Sequence, residues 1–581
     1  MGESTANELS LADCFQHQPS ELKFGTSGRR GLVTDLTQLE VYINARAEVE
    51  YLLSIPAADG GIRAGDEFYF AYDLRPSSTR FVAQWQGRGE IAQAVEQAIR
   101  DAGMVPVNLG CLPTPALMFH AVGRRKGSMM ITGSHIPFDR NGYKTNTACG
   151  ELLKHHEQPI ADVVRKVRES ICRQAFSASL FDAHGAFKSG HRELPLESNE
   201  ARQAYSNRYL YFWPDQPLRG MRLLFYQHSA VGRDLVPQIL ERLGAEVICA
   251  GRSEEFVPID TENMEATQLA LIQSLVDQAT AAYGLIDAAV STDGDSDRPL
   301  ILGIDRETSQ VRFYSGDLVG MVVAESLGAD AAVVPISCND AIDRSSLAAV
   351  LEPKTRIGSP YVIAGMEAAS ERGKRIVCGW EANGGFLLGS DIERNEKKLS
   401  ALPTRDAVLP IVAVLVSARE KKLSLNELFA LLPRRFSRAA LMKNFSKAIG
   451  AEIIRRLSPS NREAREIRFD DANPLLLDGR EQQPLADTDR AEVEEIRARL
   501  SRLFVPSKGF AEIAGLNYID GVRVIFNSGE VAQLRPSGNA DEFRVYGFAD
   551  SAERADAIVA ACLEEPEGIL RRLEKQVLAG D

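Results

Sequence analysis

Ile286-Asp287-Ala288-Ala289-Val290-Ser291-Thr292-Asp293-Gly294-Asp295-Ser296-Asp297-Arg298 passes from an apolar run into a turn with three carboxylates at alternate positions. A short apolar run bounded by turn residues predicts a buried strand. Carboxylates at alternate positions on a strand end can converge on one hard cation. An EF-hand calcium loop also alternates its acids, but it needs Gly at its sixth position and Glu at its twelfth. Arg298 and Ile304 stand there, so that reading fails. A solvated acidic turn is the plain alternative. Arg298, directly after three acids, is better explained by a phosphate sitting near a metal.

Outward from this loop the same strand-and-helix grammar repeats. Arg222 to Tyr226 predicts a strand, Gly232 to Leu243 a helix and Glu246 to Ala250 the next strand. Earlier, Phe68 to Tyr72 predicts a strand ending at Asp73-Leu74-Arg75-Pro76-Ser77-Ser78. Arg88 to Ala102 follows as a helix with Ile91, Val95, Ala98 and Ile99 on one face. Ala331 to Pro335 and Arg375 to Cys378 are further apolar runs flanking helical segments. From Pro433 the composition shifts, with a basic run at Arg434, Arg435, Arg438 and Lys443 and a charged stretch from Arg462 to Arg480. A helix is expected from Asp489 to Leu503. Gly521 to Phe526 and Val531 to Arg535 form a hairpin across Asn527-Ser528-Gly529. The fold class is therefore α/β: three tandem α/β domains with mixed sheets and a smaller C-terminal α+β domain. The expected limits are 1–200, 201–310, 311–432 and 433–581.

At 581 residues the chain has room for these domains, and 44% hydrophobic with 25% charged residues is ordinary for a globular protein. A formal charge of −13 argues against nucleic acid or an anionic membrane as partner. The eight cysteines form no C-x-x-C pair, so structural zinc is not expected and reduced thiols are the default. Met1 to Ser20 is polar without a signal-peptide pattern, and the apolar run Ala407 to Ala418 is short and carries Pro410. The expectation is a soluble cytoplasmic protein.

Four more loops carry chemistry. Ser134 sits on a glycine turn in Ile131-Thr132-Gly133-Ser134-His135-Ile136-Pro137, with Lys144 close behind. Ser134 and His135, as sequence neighbours, do not imply a protease-like triad. A serine hydroxyl is a poor nucleophile unaided, whereas a metal-held phosphoserine can transfer its phosphoryl group directly. Phe24-Gly25-Thr26-Ser27-Gly28-Arg29-Arg30-Gly31 is a second glycine-rich loop with cations. Glu381-Ala382-Asn383-Gly384-Gly385 offers a carboxylate and a carboxamide that suit adjacent sugar hydroxyls, or is only a turn between strands. Arg535-Pro536-Ser537-Gly538-Asn539, with Arg544 beyond, offers guanidinium, hydroxyl and backbone N–H groups to a phosphate, or is an ordinary hairpin exit.

In this order the loops resemble those of the α-D-phosphohexomutase superfamily of phosphosugar mutases, over about Lys23 to Tyr546. The resemblance implies four domains around a central active-site cleft. It makes Ser134 the phosphorylated serine, with His135 beside it in the catalytic group. Ser134, Asp293, Asp295 and Asp297 become the Mg²⁺ ligands, and Arg30, Lys144 and Arg298 the cations around the transferring phosphoryl group. Gly358 and Ser359 look like a third-domain substrate loop. Glu381 and Asn383 fall in the sugar-reading loop, and Arg535, Ser537, Gly538, Asn539 and Arg544 in or beside the loop gripping the non-reacting phosphate. Ile136 departs from the family's usual Asn. Ser359 and Gly385 stand where many bacterial members have histidines, and Asn539-Ala540-Asp541-Glu542 replaces Thr-Glu-Pro-Lys.

The expected activity interconverts a hexose 6-phosphate and a hexose 1-phosphate through phosphoserine, with hexose 1,6-bisphosphate as intermediate and activator. Lys144 is the candidate base and the C-terminal domain the expected lid. Glucose and mannose present their 3- and 4-hydroxyls identically. The Phe24 and Glu381 loops look closest to phosphomannomutases, which puts mannose first, glucose second and glucosamine third. A silent phosphosugar-binding protein and a metal-dependent phosphatase are the competing classes. The expected partner is a small sugar phosphate, with the chain a monomer or a dimer.

Overall fold

The computed structural model describes residues 9–25, 28–262, 264–461, 463–470, 473–478, 481–537 and 541–580. The chain divides into two compact units, Met1–Ala329 with Met366–Glu427, and Asp330–Gly365 with Leu428–Asp581.

Two mixed five-stranded sheets in the first unit share one plan. In the first, the order is Arg29–Leu32, Arg140–Asn146, Ser128–Ile131, Glu67–Tyr72, Val105–Cys111. The last three strands run parallel to one another, Arg140–Asn146 returns antiparallel beside them, and Arg29–Leu32 is antiparallel to it in turn. In the second, the order is Val311–Tyr314, Pro299–Ile304, Ala288–Thr292, Arg222–His228, Glu246–Arg252, with the same pattern of directions. Ser134 and the acidic loop thus occupy equivalent places: each follows the carboxyl end of the middle strand, just before the chain returns antiparallel. Ligand sites of α/β sheets form at such carboxyl ends.

The burial pattern explains the strands. Phe68, Phe70 and Ile131 pack with Ile43 and Val49 of helix Gln38–Ser54 and Val95 and Ile99 of helix Ile91–Asp101. Leu224, Ala289, Leu300 and Leu302 pack with Ile272 and Val276 of helix Ala266–Tyr283. The helix expected from Arg88 starts later, at Ile91. Arg88–Gly89 pairs with Phe81–Val82, and Glu90, at φ +51°, cannot continue a right-handed helix. The apolar run at Ala407 becomes the buried helix Val408–Lys421. Among the described residues no helix is long and apolar enough to cross a membrane.

The second unit carries an eight-stranded sheet whose paired neighbours are antiparallel. It includes the expected hairpin as Val522–Phe526 and Val531–Pro536, and helix Asp487–Ser501 lies close to the expected bounds. Asp330–Gly365 joins this unit through Asp340, which receives Arg523 and Arg435 as well as Lys354 of its own segment. Two cations of the basic run are thereby accounted for: Arg435 pairs with Asp340 and Asp550, and Arg438 with Asp556.

Candidate active site

Ser134 is fully buried at φ +54°, a left-handed conformation uncommon for a residue with a Cβ. Such an outlier persists only where its surroundings fix it. Its N–H donates to Thr132 Oγ1 at 2.7 Å, and Thr132 in turn donates to Asp73 Oδ2 at 2.8 Å. Arg75 then clamps the loop. Its Nη2 donates to the carbonyls of Ser134 at 2.9 Å and Ile136 at 2.6 Å, and its Nη1 to those of Pro137 and Arg140, both at 2.9 Å. The guanidinium also lies 3.8 Å over the Phe256 ring. A Cβ at residue 133 would fall 2.6 Å from Arg75 Nε, so this clamp requires Gly133.

Three buried carboxylates face the serine. Ser134 Oγ donates to Asp293 Oδ2 at 3.0 Å, and oxygens of Asp293, Asp295 and Asp297 lie within 4.8 Å of one another. The other Asp293 oxygen accepts from the amides of Asp297 and Arg298, each at 3.2 Å. Asp295 Oδ2 accepts from Lys144 Nζ and from Thr114 Oγ1, both at 2.7 Å. Asp297 Oδ2 accepts from Lys144 Nζ at 2.8 Å and from Arg405 Nε at 3.1 Å. Arg298 Nε is 3.5 Å from Asp297 Oδ1. His135 Nδ1 is 3.5 Å from Ser134 Oγ.

These carboxylates fit a hard divalent cation. Oδ1 of both Asp295 and Asp297 is buried without a hydrogen bond, which is costly unless something else takes the lone pairs. Burial, with Asp295 and Asp297 beside it, pushes the Asp293 carboxyl well above the ordinary range. Burial also works against ionising its neighbours. Lys144 and Thr114 outweigh it at Asp295, and chiefly Arg405 at Asp297, so both are held low. A bound dication inverts the penalty on Asp293. Arg30 is partly exposed but its Nε is buried without a hydrogen bond, and desolvation lowers its pKa to about 10 despite Asp295 and Asp297 nearby.

Glu381 to Gly385 forms the turn between strands Val377–Trp380 and Phe386–Leu388. Asn383 shapes it, its Oδ1 accepting from the Gly385 amide at 3.0 Å and its carbonyl from Thr261 Oγ1 at 2.6 Å. Glu381 Oε2 lies 3.3 Å from Arg405 Nη1.

The remaining expected residues belong to the second unit, where one acid ties two of their loops together. Asp520 Oδ1 accepts from Arg535 Nε at 2.9 Å while its Oδ2 accepts from the Ile357 amide at 3.0 Å. That amide immediately precedes Gly358, at φ +129°, and the fully buried Ser359. Arg544 is the cross-strand partner of Arg535, and the Ser537 amide donates to the Glu542 carbonyl at 2.9 Å. Asp541 Oδ1 accepts from the Lys447 amide at 3.1 Å, which gives one of the two acids after this loop a structural partner. Gly538 and Asn539, with Thr26 and Ser27 of the loop from Phe24 to Gly31, lie outside the described residues.

Sequence reading missed Asp73, Arg75, Thr114 and Arg405. The Asp-x-Arg at the end of a strand was a visible signal for the first two. Thr114 and Arg405 meet the acids only through tertiary contact.

A strand-end serine against converging carboxylates that could hold a metal ion, ringed by lysine and arginine on tandem α/β domains, has the parts that phosphoryl-handling enzymes use. Models of the phosphoglucomutase/phosphomannomutase alpha/beta/alpha domains I, II and III match residues 21–170, 206–305 and 315–436. A phosphomannomutase of Sinorhizobium fredii is 37% identical over 93% of this chain and 97% of its own. One of Salmonella muenchen is 34% identical over 95% and 97%. In fold, the chain is similar to a phosphoglucomutase/phosphomannomutase family protein of Burkholderia thailandensis, with TM-score 0.62 at 17% identity, covering 97% of this chain and 99% of that one. The chain belongs to the phosphoglucomutase/phosphomannomutase family of the α-D-phosphohexomutase superfamily. It is an enzyme of the isomerase class acting in carbohydrate metabolism, a hexose-phosphate mutase.

Proposed function

We propose that the chain interconverts mannose 6-phosphate and mannose 1-phosphate through phosphorylated Ser134. The observation carrying this reading is the Ser134 Oγ–Asp293 Oδ2 contact of 3.0 Å inside a ring of cations. The two phosphomannomutases at 37% and 34% identity support mannose as the sugar. The substrate hydroxyl attacks the phosphorus of phosphorylated Ser134. A new O–P bond forms, the Oγ–P bond breaks, the hydroxyl's proton ends on the departing Ser134 Oγ, and hexose 1,6-bisphosphate results. After it reorients, its other phosphate returns to Ser134. Mg²⁺ held by Asp293, Asp295, Asp297 and the phosphoserine would neutralise charge on the transferring group.

Arg298, Arg30 and Lys144 supply fixed positive charge at the same point, so catalysis is largely positioning and electrostatics. Lys144 is the expected base for the attacking hydroxyl. With carboxylates 2.7 and 2.8 Å from its Nζ, it suits charge neutralisation better than proton abstraction. His135 stands beside the serine, Glu381 and Asn383 take sugar hydroxyls, and Gly358 and Ser359 line the substrate. Arg535, Ser537, Gly538, Asn539 and Arg544 hold the non-reacting phosphate. The domain limits 1–200, 201–310, 311–432 and 433–581 belong to this reading, as does a cytoplasmic location.

Turnover of mannose, glucose and glucosamine 1-phosphates, primed with catalytic bisphosphate, tests it. Mannose is expected to have the highest kcat/KM. Preference for glucose makes the enzyme a phosphoglucomutase, and binding without turnover makes it a phosphosugar-binding protein. Ser134→Ala is expected to lose both turnover and a phosphate adduct in the intact mass, with sugar-phosphate binding kept. Substantial turnover by this variant refutes the phosphoserine route.

A further inference from the structure

Arg405 stands at a place that neither the family resemblance nor the expected site covers. Its guanidinium is buried, with Nε 3.1 Å and Nη2 3.0 Å from Asp297 Oδ2, and Nη1 3.3 Å from Glu381 Oε2. One side chain therefore spans from the metal loop to the loop that faces the sugar. Burial opposes its charge, but Asp297 and Glu381 outweigh that and hold the guanidinium protonated more firmly than usual.

The position is built rather than incidental. Arg405 lies on strand Leu402–Asp406, whose last residue is pinned from two sides. Asp406 accepts from the hydroxyls of buried Tyr205, at 2.6 Å, and Tyr209, and from the Val408 amide at 3.0 Å. The stem of Arg405 also fills the space beside residue 385, where an added Cβ would fall 2.3 Å from Arg405 Cδ. Gly385 is thus the complement of Arg405, and a side chain at 385 would displace it.

The fork also decides which Asp297 oxygen accepts no hydrogen bond, with Arg298 Nε 3.5 Å away as its ion-pair neighbour. Arg405 and Lys144 occupy Asp297 Oδ2, leaving Asp297 Oδ1, buried without a hydrogen bond, for a cation. A lysine ammonium is a point charge and lacks the planar fork that reaches both acids at once. We infer that Arg405 is a positioning residue that couples cation binding at the three aspartates to sugar-phosphate binding at Glu381. The inference rests on the reading of Glu381 as a sugar contact. Such coupling is reciprocal: the sugar phosphate tightens metal binding by the factor by which metal tightens the sugar phosphate.

The test uses the full chain and Mn²⁺, followed by electron paramagnetic resonance with and without mannose 1-phosphate, together with kcat and KM at saturating Mg²⁺. In the wild type, the sugar phosphate is expected to tighten Mn²⁺ binding. Arg405→Lys, which keeps charge and approximate volume, is expected to weaken Mn²⁺ binding by about 10–100-fold, the usual cost of losing an outer-shell partner. Its coupling factor is expected to fall toward one. Glu381→Gln is expected to lose the coupling while keeping Mn²⁺ affinity in the absence of sugar. Melting curves restrict the comparison to folded variants. An active wild type, with Arg405→Lys unchanged in both Mn²⁺ affinity and coupling, overturns the inference and leaves the activity standing. A wild type that binds neither Mn²⁺ nor sugar phosphate overturns the activity and the inference together.

Discussion

Arg75→Lys isolates the clamp beneath the serine loop. Arg75 satisfies four backbone carbonyls, at Ser134, Ile136, Pro137 and Arg140, with its two terminal nitrogens. A lysine ammonium has three donors and no fork, so at least one of these carbonyls loses its partner. Each hydrogen bond to a charged group contributes about 1.5–3 kcal/mol, so losing one or two costs about 2–5 kcal/mol after partial compensation. Relaxation also lets Ser134 leave its left-handed conformation, and a displacement of about 1 Å at a reacting group can cost 10²-fold in rate. The expected result is a lower denaturation midpoint, loss of phosphate from Ser134 by intact mass, turnover reduced about 100-fold, and Mn²⁺ binding weakened by the loss of the phosphoserine oxygen as a ligand. Wild-type phosphorylation and turnover in a folded Arg75→Lys protein would refute the clamp.

Three further expectations follow from other contacts. Asp295→Asn removes a carboxylate that receives Lys144 and Thr114, at a cost of about 1.5–3 kcal/mol in the lysine contact alone. Mg²⁺ activation should weaken, chelation should inactivate the wild type reversibly, and full activity after exhaustive chelation would rule the metal out. Arg535→Ala should weaken binding of both hexose 1-phosphate and 6-phosphate by about 1.5–3 kcal/mol, measured by calorimetry beside Arg544→Ala. Normal binding of both isomers by Arg535→Ala would remove that loop from the substrate site. Burial opposes the charge of Asp340, but Arg523, Lys354 and Arg435 hold its folded pKa below the ordinary 3.8. Its stabilisation is then present above that value and lost as pH falls through the folded pKa. Asp340→Asn should cost about 3–5 kcal/mol at pH 7, and the gap in urea midpoints between wild type and variant should shrink toward pH 3; an equal gap at both pH values would refute the ion network.

The sequence by itself determined the elements and the chemistry carried by local pattern. Alternate acids after the apolar run Ile286–Val290, a serine on a glycine turn, and the hairpin at Asn527 are set by neighbours a few residues apart. Local sterics and hydrophobic period dictate them, and the structure has each where it was expected. The helix expected from Arg88 begins only at Ile91, because the left-handed backbone at Glu90 sets its start, and the apolar spacing of Ile91, Val95, Ala98 and Ile99 carries no sign of that limit. Only the tertiary structure decided which charges meet. Thr114 and Asp295 are 181 residues apart, and Arg405 and Asp297 are 108 apart. No periodicity links such pairs. Thr114 reaches Asp295 because the ends of the two middle strands, which lead to Ser134 and Asp293, face one another. Arg405 reaches Asp297 from strand Leu402–Asp406 of a third sheet, and buried charges must find partners across these elements.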